Sequence, residues 1–558
     1  MKWVKRDENL NSIKEIISKR DFSVPEKWSF VRNMHEAVLL TKKCIREGMH
    51  ITIVGDYDCD GITSSSNLKL SILKYISILN TGNKVDVIIP DRYKEGYGLN
   101  MSIVDRIKSG LMITVDNGIA AVEQITKAKK KGLTVIVIDH HLIRDDGLVP
   151  EADVVVDPHI DDSEFQDYCG AGLAYRFAEE LIPNDPLLPK LLSLAAIGTI
   201  ADVMPIIRDN RRLVIEGLKL IADRIVPYGL NLMLDCLEID EYVNEEDIGF
   251  HIGPCFNALG RMYGNGGKRM VDLITADEPD IYDEYSRKKL LEEAIAVINV
   301  NEERQLLVKK EMDMVYGGIL KDTSPVIIIE DSTVFTKGTV GIIAGKLTEK
   351  YGVPAIVFTQ DTKNPNNLTG SGRSPEDVHL KQLLDKVSQK YPDMFVGYGG
   401  HAGAAGLTIR KTAFDALKYA LKDELKDYKP DNNIVYYDLE CKILDVPDLY
   451  KELMQYAPFG EGNRAITFKV DNISGIPKII GKLKNHFKLQ GPDVTLLGFD
   501  LVEKWLDEGE PSTLDVIGTL GVNHYKDKDL YQIRLIDFKK HVEATTVTYD
   551  DLASLFTL

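Results

Sequence analysis

The stretch Ile51-Thr52-Ile53-Val54-Gly55-Asp56-Tyr57-Asp58-Cys59-Asp60-Gly61 decides how the first part of this chain folds. Four β-prone residues without polar alternation predict a strand buried on both faces, and the glycine and acids mark its carboxyl end. Two later runs repeat the pattern: Ile113-Thr114-Val115 stops at Asp116-Asn117-Gly118, and Val135-Ile136-Val137-Ile138 stops at Asp139-His140-His141. Short apolar runs also occur at 85–89 and 154–156, and amphipathic helices are predicted over 64–78, 102–108 and 122–131. This alternation over residues 49–157 predicts an α/β lobe with a parallel sheet, whose ligands sit beyond the carboxyl ends of its strands.

An aspartate after an apolar strand ordinarily caps the next helix. Asp56, Asp58 and Asp60 alternate within five residues, however, and one helix cannot use all three as caps. Burying them together without a cation would be costly. Asp116 and His140 fall at the same strand ends, and hard oxygen donors with an occasional nitrogen suit Mn²⁺ or Mg²⁺. The expected chemistry is metal-assisted phosphoryl transfer. A largely helical stretch over 168–274 follows, and its apolar run Ala195-Ala196-Ile197-Gly198-Thr199-Ile200-Ala201 ends on Asp202, a candidate ligand from outside the sheet.

A chain of 558 residues is too long for one ordinary domain. Its formal net charge of −18 argues against a uniformly basic nucleic-acid coat, while leaving local basic surfaces open. The six cysteines lie far apart with no metal-knuckle or disulfide spacing, which fits a reducing cytoplasm. The first residues lack a signal-peptide core and no apolar run reaches bilayer length, so neither secretion nor a membrane span is expected.

The expected organisation is an N-terminal helical extension (1–48), a catalytic lobe (49–280), a connecting helix (281–318), a second α/β lobe (319–430), a C-terminal β-barrel (431–545) and a tail (546–558). The connector is predicted to place Leu290, Leu291, Ala294, Ile295 and Ile298 on one face. In the second lobe Gly370-Ser371-Gly372-Arg373-Ser374 is predicted as a turn and Gly397–Gly403 as a loop. Both would let backbone N–H groups approach an anion, with Arg373 able to grip phosphate in bidentate fashion. About five period-two strands after Ile434 predict a small antiparallel barrel. Lys482, Lys484, His486, Lys488 and Tyr531 form its candidate face for single strands, against the alternative of a merely solvated strand face.

These motifs, in this order, resemble the DHH phosphoesterase superfamily and, within it, the RecJ single-strand-specific exonucleases. GDYDCDG (55–61), PDR (90–92), VDNG (115–118), DHH (139–141), ADVMP (201–205) and FNALGR (256–261) are similar to the catalytic-lobe motifs. GSGRS (370–374) and GGHAGAAG (399–406) resemble the DHH-associated lobe, and APFGEGN (457–463) with the strands beyond it resembles the RecJ OB-fold. The resemblance implies that Asp58, Asp60, Asp116, His140 and Asp202 bind two Mn²⁺ or Mg²⁺ ions, with Asp116 as the bridge. Asp56 is expected behind these ligands, supporting catalysis. The family's phosphatases carry a histidine where this chain has Val54, so one metal position is expected to be weakened or open.

The resemblance further implies that His141 contacts the scissile phosphate or assists the leaving oxygen, and that Arg92, Arg261, Ser371, Arg373 and His401 surround the nucleic-acid phosphates, including a 5′-terminal one. Phe335-Thr336-Lys337-Gly338 stands where the family shows Trp-His before the glycine, which removes any contact made by that histidine. The implied activity is 5′→3′ hydrolysis of single-stranded DNA to 5′-mononucleotides in repair and recombination, by a cytoplasmic monomer working with a single-strand-binding protein and a helicase. Two alternatives remain. A phosphodiesterase for oligonucleotides or signalling nucleotides would not need the barrel. A non-catalytic replication scaffold would not retain the ligands.

Overall fold

Unalternating β-branched runs do form a sheet covered on both faces. The computed structural model describes residues 2–542 apart from 145, 161–162, 240–241, 431–433, 482–483, 492–493 and 526–527. The expected tail 546–558 and Lys482 lie outside the described residues. The chain divides into a larger unit of residues 22–431 with 460–463, and a smaller one of residues 1–21, 432–459 and 464 onward. Strand β1 (Lys2–Lys5) belongs to the smaller unit.

In the larger unit, β2 (Ile51–Val54), β3 (Val85–Ile88), β4 (Leu111–Val115), β5 (Thr134–Ile138) and β6 (Val154–Val156) form an all-parallel sheet in the order β3-β2-β4-β5-β6. Ile53, Val54, Ile113, Val115, Ile136 and Val137 are fully buried. The chain passes from β2 to β3 on one side and returns to β4 on the other, so the sheet's switch point lies between β2 and β4. Helices Cys59–Leu79, Gly170–Leu181, Leu188–Ala201 and Gly253–Met262 are among those that pack in this lobe. Leu188–Ala201 is apolar on nearly every side and is buried accordingly.

The connector is one helix, Glu284–Met314, about 46 Å long at the usual rise. Its buried face is rotated from the expected one: Leu291 and Ile295 are exposed at 39% and 43%, whereas Ala294, Val297, Val300, Val308 and Met312 are buried. The cause is that the helix serves two cores, packing Ala294, Val297 and Val300 into the catalytic lobe and Val308 and Met312 into the second lobe.

Glu311 is buried at this second junction. Its Oε1 accepts a hydrogen bond from Thr339 Oγ1 at 2.9 Å, and among the described residues its Oε2 has no partner. Burial pushes its carboxyl from 4.5 up to about 7. A folded carboxyl that keeps its proton to higher pH contributes fully below the unfolded value and loses that contribution as pH rises through the folded one. Glu311→Gln is therefore expected to stabilise the protein at pH 8 by on the order of 2 kcal/mol, with no gain near pH 4. Thermal melts at the two pH values check this, and equal gains at both would refute it.

The second lobe carries a mixed sheet of β7 (Ile327–Glu330), β8 (Ala355–Gln360), β9 (Asn367–Arg373), β10 (Phe395–Gly400) and β11 (Ala404–Arg410), ordered β10-β11-β9-β8-β7. The predicted turn at 370–374 is instead largely strand: Gly370 to Arg373 lie in the central β9. Glycine is required there by packing, because a Cβ at Gly370 would sit 2.5 Å from the Phe358 ring and one at Gly372 2.9 Å from Leu380.

In the smaller unit β1 pairs in parallel with β12 (Ile434–Tyr437). The helical extension expected over 1–48 is thus divided: residues 1–21 fold with the C-terminal strands, and helix Met34–Arg46 packs in the larger unit. Trp3 Nε1 donates to Asp537 Oδ2 at 2.6 Å and Arg6 pairs with Asp438 at 3.2 Å, contacts no local pattern reveals. The remaining strands are β13 (Leu439–Glu440), β14 (Thr467–Ser474), β15 (Ile476–Ile480), β16 (His486–Gln490), β17 (Val494–Gly498), β18 (Thr513–Tyr525) and β19 (Lys528–Lys540). They run β13-β14-β18-β19-β17-β16-β15, with β13·β14 and β17·β19 parallel rather than the uniformly antiparallel pairing expected.

Candidate metal centre

The strands β2, β4 and β5 are neighbours, so the acids at their carboxyl ends converge. Asp58 is the N-cap of helix Cys59–Leu79 and accepts from Gly61 N at 3.0 Å, as the ordinary reading of a strand-end aspartate requires. Asp60 lies in the first turn and accepts from Gly170 N and Ala171 N at 2.7 and 2.8 Å, at the positive end of helix Gly170–Leu181. Asp116 follows β4 at φ 58°, a left-handed conformation that aspartate tolerates. Asp202 terminates Leu188–Ala201, and the next residue, β-branched Val203, is held at a strained φ of 56°.

His140 Nε2 lies 3.1 Å from Asp116 Oδ1, and 3.7 Å from both Asp60 Oδ2 and Asp202 Oδ2. Three groups have donor atoms within 4.8 Å of one another: Asp56, Asp58 and Asp116; Asp60, His140 and Asp202; and Asp116, His140 and His141. The five predicted ligands are thus together. Asp56, expected behind them, also brings a donor atom into the group: its Oδ1 accepts a long bond from Gly98 N at 3.4 Å, and among the described residues its buried Oδ2 has no partner. Val54 is fully buried in β2 and offers no donor.

Burial, reinforced by neighbouring acids, pushes Asp56 and Asp116 well above the usual carboxylate range, raises Asp58, and takes Asp202 up to about 8. Burial lowers His140, leaving a neutral imidazole. Burial also opposes charge on Asp139 and His141, but their hydrogen bond prevails: Asp139 Oδ1 meets His141 Nδ1 at 2.8 Å, so Asp139 stays below its ordinary value and His141 rises to about 9. His141 Nε2 lies 3.0 Å from Tyr97 Oη.

The residues fit divalent cations. An orphaned buried carboxylate oxygen, crowded acids and a neutral imidazole form a hard donor set. Glycine keeps space around it: a Cβ at Gly170 or Gly198 would sit 2.9 or 2.8 Å from the Asp60 carboxylate.

Beside the acids, a cavity of about 180 Å³ is lined by Asp56, Tyr57, Asp58, Arg92, Tyr97, Asn257 and Arg261. The Arg92 guanidinium stands 5.0 Å from the Tyr57 ring centre. Burial, then the charges of Arg92, Arg304 and Arg373, hold Arg261 down to about 10, and burial and Arg92 lower Arg373. Arg373 Nη1 donates to Ser371 Oγ at 3.1 Å and Gly372 O at 2.8 Å. Partial desolvation, then Arg373, His379 and His141, lower the more exposed His401. Among the described residues no carboxylate forms an ion pair with Arg92, Arg261 or Arg373, so these cations are left for an anion from outside. Sequence reading missed Arg304 on the long helix and Tyr97. It also missed Asn257, whose Oδ1 accepts from Cys59 N at 3.0 Å and whose motif, FNALGR, was the available signal.

The expected basic and aromatic barrel face is split. Register places Tyr531 on the side of buried Val494 and Ile533, against Tyr450, whereas Lys488 points to the opposite side in one row with Lys478 and Arg534. His486, two residues from Lys488, shares that outer side. Lys484 is exposed, just ahead of β16.

Three family models match the chain: DHH family, N-terminal domain, over residues 50–199; DHHA1 domain over 325–427; and RecJ OB domain over 437–537. The single-stranded-DNA-specific exonuclease RecJ of Salmonella typhimurium is 31% identical over 413 residues, covering 70% of this chain and 69% of its own. A crystal structure of Thermus thermophilus RecJ with Mn²⁺ shares the fold at TM-score 0.74 and 23% identity, covering 94% of this chain and 74% of that one. A second, of exonuclease RecJ bound to manganese, matches at TM-score 0.58 and 26% identity over 73% of this chain and 97% of that one. By its three domains and its identity to the Salmonella protein along most of both chains, the chain belongs to the RecJ family of DHH proteins.

Proposed function

We propose that the protein is a single-strand-specific 5′→3′ exonuclease that releases 5′-mononucleotides, with two Mn²⁺ or Mg²⁺ ions held by Asp56, Asp58, Asp60, Asp116, His140 and Asp202. Asp116 and His140 each belong to two of the three donor groups, and Asp116, as a carboxylate, would have an oxygen to offer each ion. The observation that carries the reading is the crowd of unneutralised carboxylates, with Asp56 Oδ2 unpartnered, facing unpaired arginines across one small cavity. When bound, the ions supply an activated water and neutralise charge on the phosphate.

The chain's own groups do the rest. Arg92 and Arg261 orient the scissile phosphodiester. His141, protonated near neutral pH and steadied by Asp139, donates a proton from Nε2 to the leaving 3′-oxygen. Arg373, Ser371 and His401 hold the 5′-terminal phosphate. The outward Lys478, Lys488 and Arg534 row supports a role for the barrel in holding the rest of the strand. The same reading makes the protein a cytoplasmic monomer supplied with substrate by a helicase and a single-strand-binding protein. Among the described residues no helix is long and apolar enough to cross a membrane.

End-labelled single-stranded and duplex DNA, each with and without 5′-phosphate, tests the reading. Stepwise 5′ release from the single strand alone supports it; duplex cutting at an equal rate would refute it. Arg373→Ala is expected to raise KM on 5′-phosphorylated ends about tenfold and to leave 5′-hydroxyl ends nearly unchanged. Equal losses on both ends would remove Arg373 from the terminal pocket.

A further inference from the structure

We propose that Lys337 is a substrate-contacting residue whose ammonium, carried by loop 335–339 of the second lobe, binds a phosphate of the single strand beside Arg92 and Arg261. The inference deepens the exonuclease reading and rests on it.

Lys337 Nζ donates to Arg92 O at 3.1 Å. An ammonium has three donors, so two remain for acceptors from outside. The side chain is half-buried. Its ammonium is disfavoured first by burial, then by the charges of Arg92 and Lys363, with Asp361 and Asp91 opposing. Among the described residues it has no ion-pair partner. A half-buried ammonium held close to the Arg92 charge is disfavoured unless an anion joins it.

The loop that presents it is fixed. Thr359 Oγ1 donates to Phe335 O at 2.6 Å, and the Phe335 ring is buried. Thr336 Oγ1 and Thr339 Oγ1 lie 2.9 Å apart, and Thr339 is tied in turn to Glu311. Gly338 lies flush against Arg261 O, where a Cβ would overlap that oxygen, and Tyr93 Oη donates to the same carbonyl. Lys337 is therefore held against the segments that carry Arg92 and Arg261. Locking the loop to the Arg92 carbonyl requires only a donor, which an uncharged amide also has. A positive charge is not required for that lock, whereas binding a phosphate requires it, and that difference separates binding from packing.

The test compares wild type, Lys337→Gln and Lys337→Arg in the full-length protein. Affinity for a 5′-phosphorylated oligo-dT is read by fluorescence anisotropy over a salt series, beside Mn²⁺-dependent kinetics. Lys337→Gln is expected to weaken binding about tenfold, to lower the slope of log K against log salt by about 0.7, and to raise KM while kcat stays within about twofold. Lys337→Arg is expected to keep the wild-type salt slope. A Lys337→Gln protein with wild-type affinity and slope would overturn the inference, as would Lys337→Arg losing as much as Lys337→Gln. If wild type itself neither binds nor cuts single strands, the exonuclease reading fails as a whole; if it does both and Lys337→Gln matches it, only the role of Lys337 fails.

Discussion

Asp116→Ala is expected to reduce hydrolysis of single-stranded DNA by about 10³-fold or more, while the folded protein survives. Asp116 belongs to two of the three donor groups and lies 3.1 Å from His140 Nε2, so under the proposed two-ion reading its loss would weaken both metal positions together. The fold does not depend on the carboxylate. Asp116 is buried, its acidity is suppressed by burial and by Asp60, Asp58, Asp56 and Asp202, and its removal relieves that repulsion. Without metal at pH 8 the variant should melt no lower than wild type, and it should lose the upward shift that Mn²⁺ gives wild type. Turnover of 5′-labelled oligonucleotide and paired melts check both outcomes. An Asp116→Ala protein with near-normal turnover would remove the metal assignment.

Removing the metal is expected to abolish activity and to make stability pH-dependent. Asp56, Asp58, Asp116 and Asp202 all hold their protons more tightly in the folded chain than in the unfolded one, Asp202 up to about 8. Their contribution is therefore full near pH 4 and is lost as pH rises toward 8. His141, raised from 6.5 to about 9, adds a loss in the same direction at higher pH. The chelated protein should thus become less stable from pH 5 to pH 8. Mn²⁺ should offset that trend, since binding favours deprotonated ligands, adding about 2.7 kcal/mol at a hundred times its Kd. Melts at pH 5, 6.5 and 8 with chelator or Mn²⁺ measure this. An Mn²⁺ shift that shrinks as pH rises would contradict the assignment.

Much of the site was legible in the chain itself. Unalternating runs at 51–54, 111–115 and 134–138 mark strands buried on both faces, and in a parallel sheet their last residues must share one edge. Asp58, Asp60, Asp116 and His140 follow from that local rule. Asp202 was legible only as the end of an apolar helix, because its approach to His140 depends on how that helix packs. That Asp56 offers a donor atom to the group was not legible, since nothing local distinguishes an aspartate whose oxygens are all bonded from one whose Oδ2 is left without a partner among the described residues. The turn expected at Gly370–Ser374 failed for a related reason: those glycines answer to Phe358 and Leu380, not to backbone curvature.

The sequence by itself determined the strand-and-helix alternation, the edge where the acids gather and the kind of ion they suit, because each depends on periodicity or composition within a few residues. Only the tertiary structure decided that β1 pairs with β12, that Tyr531 turns away from Lys488, and that Lys337 meets the carbonyl of Arg92 across 245 positions. Those contacts form when the chain closes on itself, and long-range closure is set by the packing of whole elements, which no local pattern encodes.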